Sequence, residues 1–98
     1  MLVHIVLMRL RPGLSGAALG DLERRVRDLA ELVAGPDSCA VGPNITEEPL
    51  SQEFEFGFVL RFASRAELDA YHVNPAHQSI SLAIRDVSHT VLVFDLGA

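Results

Sequence analysis

A chain of 98 residues, 49% hydrophobic, has room for one domain and not for a second core. Its net charge of −5 and the absence of any basic run argue against nucleic acid or an anionic membrane as partner. No lysine is present, which excludes a P-loop and Schiff-base chemistry by a side-chain amine; the one cysteine, Cys39, cannot form an internal disulfide and reads as a small buried residue.

Residues 2–10 predict a strand, with Leu2, His4, Val6 and Met8 on one face and Val3, Ile5 and Leu7 on the other. This apolar opening lacks a basic n-region and a small-residue cleavage site. It reads as a strand rather than a signal peptide, and a cytoplasmic location is the expectation. No segment is long enough to span a bilayer. Arg11-Pro12-Gly13 ends the strand, and Ser15 can cap a helix. Leu19, Leu22, Val26, Leu29, Ala30 and Val33 form the apolar stripe of that helix, which stops at Gly35-Pro36. Residues 38–47 predict an irregular strand broken by Gly42-Pro43. A sequon at Asn44-Ile45-Thr46 means nothing without export.

The segment "LSQEFEFGFVLRF" is the strongest strand: Phe54, Phe56, Phe58, Leu60 and Phe62 share one face. "SRAE", residues 64–67, is a capping box in which Ser64 accepts from the Glu67 N–H and the carboxylate reaches back. The short helix that follows carries Leu68 and Tyr71. Asn74-Pro75 ends it and starts another, with Asn74 as cap, running to about Arg85. "SHTVLVFDL" is the last strand. The whole chain, 1–98, thus predicts one β-α-β-β-α-β domain of the ferredoxin-like split type: α+β, a four-stranded antiparallel sheet with helices on one face.

Helices on one face leave the other open. Yet the first and last strands are apolar on both: Val3, Ile5 and Leu7 oppose Val6 and Met8, and Val91 and Val93 oppose Leu92 and Phe94. An antiparallel sheet with a wet face alternates cleanly. A second apolar face needs a cover, and another copy of the chain is the simplest one. The expectation is a homodimer with sheets packed face to face.

Three polar groups point toward the helix side of the sheet. His4 stands mid-strand among aliphatics, where it needs a polar partner. Tyr71, by its spacing from Leu68, faces inward. His77 falls in the first turn after Asn74, where the helix dipole disfavours the imidazolium and favours a neutral base. The alternative for His77 is a ring that only packs or satisfies backbone N–H groups. His72, one position beyond Tyr71, should point outward into solvent, and His89 should be exposed. If His4, Tyr71 and His77 meet, Val6 and Met8 of the first strand and Phe54, Phe56 and Phe58 of the third would wall a small-molecule pocket. No metal is expected: His72 and His77 are five apart across a proline, and no cysteine or acidic cluster completes a set. No glycine-rich dinucleotide fingerprint is present, and no cofactor is expected.

"MLVHIVLMRLRPG", "FEFGFVLRF" followed by "SRAELDAY", "YHVNPAHQSI" and the late "VFDL" resemble the stress-responsive α/β-barrel (Dabb) domain over nearly the whole chain. The resemblance implies a ferredoxin-like protomer that pairs into a dimeric barrel. Within that family the plant olivetolic acid cyclase is similar in its Y-x-x-x-P-A-H segment. It closes a linear polyketide by intramolecular aldol condensation without a cofactor. The matching residues here are His4, Tyr71 and His77; a third-strand histidine of that cyclase is replaced by Phe56. The implied function is a cyclase-like enzyme acting on a small apolar or phenolic molecule. The alternatives are a cofactor-independent monooxygenase, or a non-catalytic ligand-binding or stress-responsive dimer.

Overall fold

The computed structural model describes residues 1–97. The elements run β1 (Leu2–Leu10), α1 (Gly16–Ala34), β2 (Cys39–Pro43), β3 (Phe56–Phe62), α2 (Arg65–Val73), α3 (Pro75–Val87) and β4 (Ser88–Gly97). The strands form one antiparallel sheet in the order β2-β3-β1-β4, the ferredoxin-like arrangement expected from the element order. No helix among the described residues is long and apolar enough to cross a membrane.

The helix boundaries follow from caps. Ser15 accepts from the Ala18 N–H at 3.2 Å. Gly35 ends α1 with φ +88°, in the left-handed region that glycine enters freely, and its N–H returns to the Glu31 carbonyl at 2.9 Å. Ser64 accepts from the Glu67 N–H at 3.4 Å, but the Glu67 carboxylate takes the Ala63 N–H at 2.7 Å, one residue further back than in the standard box. At the break between α2 and α3, Asn74 Oδ1 accepts from the Ala76 N–H at 2.9 Å and Pro75 opens the next helix. α3 continues to Val87, two residues beyond the expected end.

The core lies between the sheet and the helices. Val6 and Met8 of β1 and Phe56, Phe58, Leu60 and Phe62 of β3 are buried against Leu22, Val26 and Leu29 of α1, with Leu68, Tyr71 and Ile80 from α2 and α3. The apolar stripe of α1 thus takes the face that its spacing dictates.

Phe54 departs from the expected row. Gln52 and Glu53 both have positive φ, and the Phe54 N–H closes a turn onto the Ser51 carbonyl at 3.0 Å. The alternation therefore begins only at Phe56. The Phe54 ring lies under the Arg9 guanidinium, 4.9 Å from its centroid, and lines a groove on the opposite side of the sheet.

The second face is as apolar as its sequence. Val3, Ile5 and Leu7 of β1 pair with Leu96, Phe94 and Leu92 of β4. Leu92, Phe94 and Leu96 are exposed, Phe94 at 55%. Gly57 pairs with Leu7 here, and a Cβ at Gly57 would stand 2.8 Å from Leu7 Cδ2 and 2.9 Å from the Val6 carbonyl oxygen. Only glycine lets these strands meet without displacing Leu7.

Candidate active site

The helix side of the sheet holds a cavity of about 240 Å³ where β1, β3 and β4 face α2 and α3. His4, Tyr71, His72 and His77 form its polar end; Val6, Phe58, Ile84, Val91 and Val93 form its walls, with Ser81 beside them. A small apolar pocket with a few converging polar groups is the form a small-molecule site takes.

His4 is buried, and its Nδ1 lies 2.5 Å from Asp95 Oδ1. A carboxylate can only accept, so Nδ1 carries the hydrogen and Nε2 is left toward the pocket. This is the polar partner that a mid-strand histidine requires. It follows from the register, in which His4 and Asp95 are directly paired across β1 and β4. The parity of Val91 and Val93 puts Asp95 on the inward face, and only the register of β1 with β4 sets it opposite His4.

Tyr71 is fully buried on α2, packed against Phe62 with ring centroids 5.6 Å apart. Burial pushes its phenol well above the ordinary range, so the hydroxyl stays protonated and is a donor. No described residue serves it as a hydrogen-bond partner. His77 meets Tyr71 edge-on at 5.0 Å between centroids. Its imidazole is held below the ordinary histidine range, first by burial, then by His72 and His4. His4 and Tyr71 are 6.0 Å apart. The three residues singled out from the sequence therefore meet in one cavity.

Other expectations change. His72 is solvent-accessible, but it is not turned away: its ring stands at the pocket mouth, 5.4 Å from His4 and 5.1 Å from His77. Of the expected walls, Val6 and Phe58 line the cavity. Met8 and Phe56 belong to the core and do not line it, Phe56 reaching the outer groove instead, and Phe54 is on the other side of the sheet. Ile84 of α3 and Val91 and Val93 of β4 take their place. His89 is exposed and bonds Thr90. Among the described residues no group of three or more His, Cys, Asp or Glu is placed to hold a metal ion.

The profile of the Stress responsive A/B Barrel Domain (Dabb) matches residues 2–97. The chain belongs to the Dabb family. No curated protein matches it. Among solved structures, a dimeric ferredoxin-like protein of unknown function from Jannaschia sp. CCS1 is 27% identical, with 99% of this chain and 98% of that one covered and a TM-score of 0.88. A hydroxynitrile lyase from Passiflora edulis is 16% identical, with coverages of 97% and 90% and a TM-score of 0.82. A cofactor-independent oxygenase from Streptomyces nogalater is 9% identical, with coverages of 99% and 91% and a TM-score of 0.74. The last two likenesses are of fold.

Proposed function

We propose that this Dabb protein is a cofactor-free acid–base enzyme of the polyketide cyclase type, abstracting a proton next to a carbonyl in a small apolar or phenolic substrate. The observation that carries the reading is the convergence, in one apolar-walled cavity, of an uncharged imidazole, a protonated phenol and a carboxylate-held imidazole. His77, whose ring nitrogens bond no described residue, takes the proton from the acidic carbon. Tyr71 donates its O–H to the carbonyl oxygen that becomes an enolate. His4, its Nδ1–H held by Asp95, turns Nε2 to the pocket, where it accepts from a substrate hydroxyl and fixes the geometry of the reacting groups. The enolate carbon then bonds to the second carbonyl carbon, and the alkoxide recovers the proton held by His77. The electron pair of the broken C–H bond becomes the new C–C bond, and no oxidant is needed.

The dimer belongs to the same reading. The Jannaschia protein is dimeric, and the apolar face of half-buried Ile5 and exposed Leu92 and Phe94 fits a second copy of this chain packed sheet to sheet.

The test is turnover of a panel of β-diketones, linear poly-β-keto compounds and hydroxynitriles, with oxygen monitored throughout. Loss of substrate without oxygen uptake, abolished in His77→Ala, supports the proposal. Oxygen uptake matching substrate loss indicates the oxygenase alternative. A ligand that raises the melting temperature but is never consumed indicates a binding protein.

A further inference from the structure

His72 belongs to the wet side of α2 by helical spacing, yet its ring lies over the pocket. It touches both imidazoles of the site edge-on, His4 from β1 at 5.4 Å and His77 from α3 at 5.1 Å. Neither contact is a hydrogen bond, and no described residue bonds its ring nitrogens. His72 stays solvent-accessible, yet its ring stands beside two other imidazoles, where a positive charge on any one opposes a charge on the others. The surrounding charges are few. On α2, Asp69 and Arg65 act on His72, and Asp69 is itself 3.6 Å from Arg65. From β4, Asp95 is taken by His4. Tyr71 is buried and uncharged, and no described carboxylate pairs with His77.

We propose that His72 is a positioning residue of the acid–base site, its imidazole set between His4 and His77 so that His77 stays uncharged and ready to accept a proton. The inference rests on the acid–base reading for its purpose but not for its test. The direction of the shifts agrees with the geometry. His72 is lowered first by burial and then by His4, and His77 is lowered first by burial and then by His72.

The test is NMR titration of the histidine ring protons in the parent protein and in His72→Gln, which keeps a polar side chain without a charge. In the parent, the His72 and His77 curves should each carry the other's inflection. In His72→Gln the His77 midpoint should rise by about half a pH unit, the size expected for two unit charges about 5 Å apart in a water-like dielectric. The low-pH limb of the rate profile should move with it. Independent single-site curves in the parent, or an unmoved His77 midpoint in a folded variant, would overturn the proposal. Coupled curves in a protein that turns nothing over would leave the role of His72 standing and count against the enzyme.

Discussion

Two hollows of the molecule lie on opposite sides of the same sheet. The outer groove is the larger, about 690 Å³, and is lined by Leu7, Ile45, Leu50, Phe54 and Val59 among others, with no titratable side chain. The inner pocket is about a third of that volume and holds three imidazoles and a phenol. The difference teaches that size alone does not mark chemistry. A wide groove flanked by exposed Ile45 and Leu50 calls for a cover. A narrow pocket with apolar walls on which three imidazoles and a phenol converge calls for a ligand.

The largest effect that would sharpen the comparison belongs to the inner pocket. His77→Ala should lower turnover by about 10²–10⁴-fold, the usual contribution of a positioned base, while light scattering and thermal unfolding stay near the parent's. A variant that fails to fold would make His77 a packing residue instead. Next is the outer face. Ile5 pairs with Val59 and Phe94, and Ile5→Asp would put a charge into the sheet-to-sheet contact, costing several kcal/mol of association. The parent should scatter light as a dimer at micromolar concentration and the variant as a monomer. A monomeric parent would remove the reason for the outer apolar face.

Two smaller effects concern the frame that presents Tyr71 and His77. Ser64→Ala removes the acceptor for the Glu67 N–H at the start of α2 and should cost about 1 kcal/mol in denaturant unfolding. The pH dependence of stability is smaller still. His72 and His77 are both lowered from 6.5 in the folded protein, so the unfolded chain binds protons first as the pH falls. Their contribution is fully present above about pH 6.5 and is lost as the pH drops through that value toward the folded ones. Unfolding midpoints at pH 5 and pH 7.5 should therefore differ less in a His72→Gln, His77→Gln double variant than in the parent. An equal difference would mean that neither ring is held neutral by the fold.

The same comparison separates what a sequence shows from what only a fold shows. Strand alternation and caps are local, so the four strands, the three helices and the meeting of His4, Tyr71 and His77 could be read from residue types and spacing. The apolar second face could too, because it contradicts the alternation a wet sheet requires. Phe54 could not: two consecutive positive-φ residues that are not glycine, Gln52 and Glu53, end the alternation without a signal in residue type. Asp95 needed the pairing register of β1 with β4, which joins residues 91 positions apart. His72 needed the angle at Asn74. It lies in the last turn of α2, and the break into α3 brings His77 back beneath its ring, which a helical wheel drawn for α2 alone cannot show.

Proton abstraction at the inner pocket can be measured directly, without knowing the natural substrate. A small aryl β-diketone dissolved in D₂O loses its α-hydrogen signal as deuterium enters, and proton NMR follows the loss. The parent protein should accelerate that exchange well beyond buffer, with no oxygen consumed, and His77→Ala should return it to the buffer rate. Exchange by the parent no faster than by His77→Ala, for every diketone that raises the parent's melting temperature, would contradict the assignment of His77 as a base.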